Sequence, residues 1–457
     1  MGIRRRSLVV PSARRLILSM RDLGYDLGSA IADLIDNSIS ADATLVEIDM
    51  RFEGDASRIR ISDNGLGMSE SALQEAMRFG TRRNYADHDL GRFGLGLKAA
   101  SLSQCRRLTV ATRTTTSGRV RVARWDLDEV AESDRWEVSR PVVREVPWAC
   151  EPLRGSTGTV VLWQDLDRVV RYKVAGGQWA RSDFDRVTCQ VADHLSMVFH
   201  RFLGGEAKRR LPLAIALNGI GLRPWDPFAR SEPATIHLPV QKLRLVQDGM
   251  RQVVPVRAFV LPTEARFSGS GAHRAAAGPK FWNRQQGFYV YRADRMIQSG
   301  GWSRLRTSDE HTKLARVSID LPAGSEEIFE LNVSKTQVRV PAALRPQLAA
   351  IASTVSRLAQ DVYRSPKDTS VSDSHPLVVA DPRVRAITAL VRMVVSATED
   401  LVNRELDGRR LGRERITRRL RAMEAQFSGE LEALVSQEAS SGSRVGGRRV
   451  MDAATSA

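Results

Sequence analysis

The sequence predicts an α+β protein, in which an N-terminal α/β sandwich is followed by a second, β-rich α/β domain and a C-terminal helical segment. Between residues 30 and 40, isoleucine and leucine recur at the spacing of one helix face. Residues 45–50 and 58–62 then alternate between apolar and polar side chains, which predicts two half-buried strands. Further predicted strands lie at 107–112, 119–125, 158–163, 211–216, 235–238, 252–261, 287–291, 315–320 and 329–333.

The first helix and the second strand each place polar groups where a ligand could use them. The helix leaves Asp33 and Asn37 four residues apart on one face, so that a carboxylate and a carboxamide lie side by side. The strand at 58–62 runs into Asp63, and two nearby glycines allow positive φ or a close approach of the backbone. An ordinary turn is the alternative interpretation of this D-x-G-x-G run.

A glycine-rich run from Gly91 to Lys98 opens a predicted helix at 97–103, whose N-terminal amides favour anions. Its G-x-x-G-x-G pattern matches neither the Walker nor the dinucleotide fingerprint, so a flexible loop with a helix cap is the alternative. The polar run at 79–89 is typical either of a lid that closes over a ligand or of a plain surface loop.

The order and spacing of these three motifs resemble the nucleotide-binding (Bergerat) domain of the GHKL ATPase superfamily. That superfamily includes DNA gyrase B, MutL, the heat-shock chaperone ATPases, sensor histidine kinases and MORC proteins, and the resemblance favours the bacterial MORC-like branch. The resemblance implies ATP and Mg²⁺ as ligands. It implies that Asn37 holds Mg²⁺, that Asp63 accepts the adenine amino group, and that Thr159 supports Asp63. The other implied nucleotide-binding positions are Ala41, Gly65, Gly67, Met68, Gly91, Phe93, Gly94, Gly96, Leu97 and Lys98.

Two further residues are implied to take part in hydrolysis. Asp33 stands where most ATP-hydrolysing members have a glutamate that polarises water, which is a departure from the pattern. Lys335 lies in the turn that, in gyrase, MutL and MORC-like ATPases, sends a lysine to the γ-phosphate. A solvated loop lysine is the alternative for Lys335.

The chain is strongly basic, with a formal charge of +16 over 457 residues and a pI near 10.5. This charge favours a polyanionic partner, and nucleic acid ranks above a membrane because no apolar run approaches the length of a bilayer span. Arginine outnumbers lysine heavily, so genome composition is an alternative source of the excess.

The cysteines and the N-terminus favour a cytoplasmic protein. Cys105, Cys150 and Cys189 form neither a metal-ligand spacing nor a disulfide framework. The run Arg4–Val10 hints at a twin-arginine signal, but Pro11 and the arginines after it interrupt the apolar region that such a signal needs, so no export is predicted.

The segment 286–302 resembles the transducer-type second domain of MutL and MORC ATPases, and the glycine-rich stretch 268–278 is predicted to be a flexible insert. The chain is therefore divided into a GHKL ATP-binding domain over 1–168, a connecting helix over 169–205, a transducer-type domain over 206–364, a linker over 365–383, C-terminal helices over 384–436 and a disordered tail over 437–457. The C-terminal helices are typical of a mixed-charge solvated or dimerising pair, and a nucleic-acid-binding arm is the alternative.

Two functional hypotheses follow. The first is a slow Mg²⁺-dependent ATPase whose ATP-driven homodimerisation and lid closure act on DNA without sequence readout. The second is a non-catalytic, nucleotide-dependent switch that assembles with a partner protein from a neighbouring gene, for instance in a defence or restriction system. A sensor kinase ranks lower because too little chain precedes Asn37 for a phosphoacceptor helix pair, and a chaperone ranks lower because the second region is more like MORC.

Overall fold

The computed structural model describes residues 10–22, 24–80, 96–114, 118–172, 174, 176–208, 211–247, 250–326, 328–330 and 338–364. Their contacts group them into two compact units. The first unit holds the described residues up to Trp225 together with those of Tyr291–Ile297 and Ala323–Val338. The second holds those of Asp226–Val290 and Gln298–Pro322, and those from Arg339 onward. The domain boundaries drawn from the sequence stay predictions.

The helices of the described residues are α1 (Ala13–Met20), α2 (Leu27–Ser40), α3 (Glu70–Met77), α4 (Gly96–Leu102), α5 (Leu127–Ser133), α6 (Pro147–Cys150), α7 (Gln178–Val198), α8 (His200–Leu203), α9 (Ser270–Ala277), α10 (Phe281–Gln285) and α11 (Arg345–Arg364). Among these described helices, none has the combination of length and apolar composition that a membrane span needs.

The strands are β1 (Leu45–Arg51), β2 (Arg58–Asp63), β3 (Arg107–Arg113), β4 (Arg121–Asp126), β5 (Gly158–Gln164), β6 (Ala214–Leu217), β7 (Ile220–Gly221), β8 (Ile236–His237), β9 (Gln241–Gln247), β10 (Met250–Val260), β11 (Gly287–Arg292), β12 (Arg295–Ser299) and β13 (Ala315–Leu321). Within the described residues, one sheet has the strand order β4-β3-β5-β2-β1-β6-β7. It is mixed, because β1 and β6 are parallel whereas its other pairs are antiparallel. The α+β class and the N-terminal α/β sandwich are thus confirmed.

Helix α2 is the centre of the first unit. Asp26 caps its N-terminus, since the Asp26 side chain accepts a hydrogen bond from the Ser29 backbone N–H at 2.8 Å. Ile31 and Ile35 are fully buried, and each such side chain contributes about 1.5–3 kcal/mol through burial. The helix packs against α4, α7 and β2, so the polar residues on its other positions are held in fixed places.

The second sheet has the order β12-β11-β13-β10-β8, and β9 pairs with β10. Helix α11 packs against β10 and β13 through buried residues that include Leu348, Ile351 and Val355. The C-terminal helical segment predicted at 384–436 lies outside the described residues.

Three elements differ from the sequence prediction. Strand β6, expected within the second domain, joins the first sheet beside β1, where the Ala214 N–H donates to the Thr44 carbonyl at 2.8 Å. The insert expected to be flexible contains helix α9, which lies between Gly269 and Gly278. The strand expected to start at Phe329 is a turn at its described residues, because Glu330 has a left-handed φ of 43° that a strand cannot contain.

Gly158 is where β5 passes the end of β2, and its φ of 135° is accessible to glycine alone. A Cβ at this position would lie 1.8 Å from the Asp63 carbonyl oxygen, so any side chain forces the two strands apart. Gly155 also has positive φ, but a Cβ there would meet nothing within 4 Å.

We expect Gly158→Ala to lower the free energy of unfolding by about 3 kcal/mol, since backbone strain adds to the clash between the strands. Gly155→Ala is the matched control and should lower it by about 1 kcal/mol, the strain alone. Urea unfolding of both variants measures the difference, and equal losses would contradict the close approach of β2 and β5.

Candidate functional site

Asp63, the last residue of β2, is held by three hydrogen-bond donors. Its Oδ1 accepts from the backbone N–H of Gly65 at 2.9 Å and of Thr159 at 3.2 Å, and its Oδ2 accepts from the Ser38 hydroxyl at 3.0 Å. Burial raises the pKa of Asp63 above its ordinary value, while these three hydrogen bonds oppose the rise. The result is a fixed acceptor that suits a neutral amino donor such as that of a purine.

The glycines after Asp63 let the turn pack against the C-terminal end of α2. The Leu66 N–H donates to the Ala41 carbonyl at 2.9 Å, and a Cβ at Gly65 would lie 2.6 Å from that oxygen. Gly67 has a φ of 66°, and a Cβ there would lie 2.1 Å from the Arg113 carbonyl oxygen. Neither position accommodates a side chain without moving the backbone.

Thr112 ties the same turn to β3 and β5. Its hydroxyl accepts from the Met68 N–H at 2.8 Å, contacts the Gly158 carbonyl at 3.0 Å, and lies 3.2 Å from the Thr159 hydroxyl. The structure therefore brings Asp63, Met68 and Thr159 together.

Asp33 lies on α2, 3% exposed, and both of its carboxylate oxygens have partners. Oδ2 accepts from the Tyr25 hydroxyl at 2.8 Å, and Oδ1 lies 3.5 Å from Nη2 of Arg295. Arg295 also binds Asp36, with Nε and Oδ1 2.9 Å apart. Burial, with the Asp33 charge next, raises the pKa of Tyr25 far above its ordinary value, so the phenol is a neutral donor.

Asn37 and Gly96 lie close to Asp33. Asn37 follows on the same helix with its side chain exposed, in contrast to the buried Asp33 and Asp36. Gly96 begins α4, and a Cβ there would lie 3.8 Å from Oδ2 of Asp33. An exposed carboxamide oxygen is a suitable ligand for a hard cation such as Mg²⁺.

The side chain of Lys98, predicted to meet the phosphates, contacts helix α3. Its ammonium donates to the Ala76 carbonyl at 2.8 Å, in the last turn of α3, and the residue is 1% exposed. Burial lowers the pKa of Lys98 to about 8, and Glu75 opposes that shift. Carbonyl groups at a helix C-terminus attract a cation, which explains this contact at a position expected to meet phosphates. Leu97, beside it, is partly buried.

Four predicted site residues, Gly91, Phe93, Gly94 and Lys335, lie outside the described residues, as does most of the predicted lid. Conversely, the sequence did not single out four residues that contact the predicted ones, namely Tyr25, Ser38, Thr112 and Arg295, or Asp36, which binds Arg295. Ser38 had a signal, because it follows Asn37 on the helix that faces Asp63. Arg295 had none, since it lies 262 residues from Asp33 along the chain.

A family model described as "histidine kinase-, DNA gyrase B-, and HSP90-like ATPase" matches residues 25–157. The match begins at Tyr25 and includes helices α2 to α6 and strands β1 to β4, so it covers Asp33, Asn37 and Asp63, whereas β5, β6 and β7 lie beyond it. Residues 25–157 are a GHKL ATPase domain.

Curated relatives of this GHKL domain are of the MORC and MutL type. ATPase morc-1 of Caenorhabditis elegans is 27% identical over 180 residues, 32% of this chain and 21% of that protein. DNA mismatch repair protein MutL of Pasteurella multocida is 30% identical over 138 residues, 29% of this chain and 20% of that protein. MutL of Actinobacillus succinogenes is 38% identical over 91 residues, 19% of this chain and 14% of that protein. The chain thus matches about a fifth or less of each relative's length.

The residues of the GHKL domain fit ATP and Mg²⁺ in their chemistry. Asp63 would accept the adenine amino group beside the glycine turn, and Asn37 would supply an oxygen to Mg²⁺. Bound Mg²⁺ would neutralise charge on the phosphates. The chain's own contribution is to fix the Asp63 carboxylate through Ser38, Gly65 and Thr159.

We expect ATP affinity to fall with decreasing pH as Asp63 becomes protonated, because a protonated oxygen no longer accepts the adenine amino group. Since the pKa of Asp63 is raised, the fall should begin at a higher pH than for an ordinary aspartate. Asp63→Asn should weaken binding by on the order of 10²-fold at a pH where Asp63 of the parent protein is ionised, through loss of the charged acceptor, and should remove this pH dependence.

Calorimetric titration with ATP across pH measures both effects. Asp49→Asn is the matched control, because Asp49 lies on the neighbouring strand β1 and binds Arg60 at 2.6 Å instead of belonging to the site. Parent-like affinity in Asp63→Asn would show that the pocket assignment is wrong.

Proposed function

We propose that this chain is a slow, Mg²⁺-dependent, cytoplasmic ATPase whose ATP-driven lid closure and homodimerisation act on DNA. The observation that supports ATP binding best is the Asp63 carboxylate, fixed by three donors at the end of β2 within a GHKL domain. Hydrolysis, dimerisation and action on DNA are the further parts of the proposal.

In this proposal Asp33 orients and polarises the attacking water. It takes the position of the usual glutamate and is shorter by one methylene, so a slow rate is expected. A positioned base contributes a factor of about 10² to 10⁴. Lys335 would place a compact positive charge at the γ-phosphate, as the resemblance implies.

Asp33→Asn should keep ATP binding and lose hydrolysis by on the order of 10²-fold, because the amide has the same shape but accepts protons poorly. Steady-state phosphate release, measured beside ATP affinity, tests this. Asp42→Asn is the matched control, since Asp42 is exposed just after α2 and has a left-handed φ of 57° that asparagine tolerates. Parent-like turnover in Asp33→Asn would place the base elsewhere.

A non-catalytic, nucleotide-dependent switch that assembles with a partner protein is the second candidate. It is favoured by one observation: Asp33 is buried and lies 3.5 Å from the Arg295 guanidinium, so one of its carboxylate oxygens already faces a donor that is not water. ATP binding by the parent protein without phosphate release would favour the switch over the ATPase.

DNA is the proposed partner because the chain carries a formal charge of +16, and because relatives of its GHKL domain include a DNA mismatch repair protein. Phosphate contacts alone would give binding without sequence readout.

We expect the logarithm of DNA affinity to fall linearly with the logarithm of salt concentration, with a slope of about −0.9 for each neutralised phosphate. Fluorescence anisotropy with a labelled duplex measures the slope, and a shuffled duplex of the same length is the control for sequence readout. Salt-insensitive binding, or none, would contradict the DNA part of the proposal and leave ATP hydrolysis untouched.

A further inference from the structure

Arg295 is a buried cation that binds two buried carboxylates on a single helix. Its side chain is 3% exposed, while those of Asp33 and Asp36 are 2% and 1% exposed. The two acids are three residues apart on α2, so they lie on neighbouring turns of one face. Arg295 belongs to Tyr291–Ile297, the segment that groups with the first unit.

The two contacts of Arg295 are unequal, and the shorter one identifies its anchor. Nε lies 2.9 Å from Asp36, whereas Nη2 lies 3.5 Å from Asp33. A guanidinium is planar and rigid, so fixing one edge of it determines where the other edge lies. Asp36 therefore holds Arg295 in place through Nε, and Arg295 directs its Nη2 group toward Asp33.

Asp33 is constrained from two sides by this arrangement. The Tyr25 hydroxyl donates to one carboxylate oxygen at 2.8 Å, and the Arg295 arm faces the other oxygen. Two donors on different oxygens restrict rotation of the carboxylate about its Cβ–Cγ bond. The Cβ direction of Gly96 points toward the same Oδ2, so the fixed orientation is set beside the start of α4.

We propose that Arg295 is a positioning residue for ATP hydrolysis, which it serves by orienting Asp33 from its anchor on Asp36. The inference rests on the proposed ATPase function. It assigns Arg295 no contact with the nucleotide, so its removal should affect turnover and leave affinity nearly unchanged. A misplacement of about 1 Å in a reacting group can reduce a rate by on the order of 10²-fold.

Arg295→Gln is the first variant, and we expect kcat to fall by on the order of 10²-fold with ATP affinity close to that of the parent protein. This variant also leaves two buried carboxylates without their cation, so lower thermal stability is expected as well. Stability alone therefore cannot separate orientation from charge balance.

The double variant Asp36→Asn with Arg295→Gln separates the two roles. It removes one acid together with the cation, so the cluster keeps the single net negative charge that it has in the parent protein. If Arg295 orients Asp33, the double variant should regain thermal stability while its kcat stays low. A kcat that returns together with stability would reduce Arg295 to a charge-balancing role and overturn the inference.

Arg295→Lys keeps the positive charge but lacks the planar guanidinium that can bind both carboxylates at once, so a folded protein with low kcat is expected. Parent-like turnover in Arg295→Lys would overturn the inference.

The matched control is the double variant Arg292→Gln with Glu326→Gln, because Arg292 is on the neighbouring strand and forms its own ion pair with Glu326 at 2.6 Å. An equal loss of kcat in that control would attribute the effect to general disturbance of the segment and would also overturn the inference.

All variants are measured in the full chain by phosphate release at several ATP concentrations, by calorimetric ATP titration and by thermal melting. Absence of phosphate release from the parent protein would overturn the ATPase proposal and this inference together. Release by the parent with a parent-like kcat in Arg295→Gln would overturn the inference alone.

Discussion

The first unit depends on how two carboxylates are buried inside α2. Asp33 and Asp36 are buried in a helix whose other buried residues are mostly apolar, and an unpaired buried charge is costly, with about 3–5 kcal/mol lost when one partner of a buried pair is removed. Arg295 is a cation that binds both of them, and its guanidinium also lies 5.7 Å from the centre of the Phe199 ring. This requirement explains why a short segment around Arg295 groups with residues far earlier in the chain.

The adenine end of the proposed site is held by different means. Asp63 has neutral hydrogen-bond donors, and the register of β2 with β5 places Thr159 directly opposite it. Ser38 reaches it from α2, and Gly65 comes from the turn that immediately follows. Because these donors carry no charge, burial dominates and the pKa of Asp63 is raised. Its geometry therefore depends on the neighbouring strands β2 and β5 and on helix α2, and Thr159 lies just beyond residues 25–157.

The sequence predicted what depends on periodicity and on strand ends, and it missed what depends on distant contacts. The spacing of apolar residues was sufficient to predict helix α2. The position of Asp63 at the end of β2 made it a candidate ligand-binding residue. Strand β6 was assigned to the wrong sheet because a short strand contains no information about its partner. The contact of the Lys98 ammonium with the C-terminal turn of α3 had no sequence signal, because the glycine run before Lys98 contains no information about a neighbouring helix. Arg295 is 259 residues from Asp36, beyond any local pattern.

The aspartate at position 33 and its two partners are physically linked. With 2% of its side chain exposed, Asp33 has little room, and an added methylene in a well-packed interior costs about 1–3 kcal/mol. A glutamate here would have to displace the Tyr25 hydroxyl or the Arg295 arm, each of which now binds one carboxylate oxygen. The shorter acid is therefore the one that fits this set of contacts. Since Asp63 shares none of these partners, nucleotide binding and the orientation of Asp33 can change separately. Under the proposed function, loss of one contact at Asp33 would then lower ATP turnover and leave ATP binding intact.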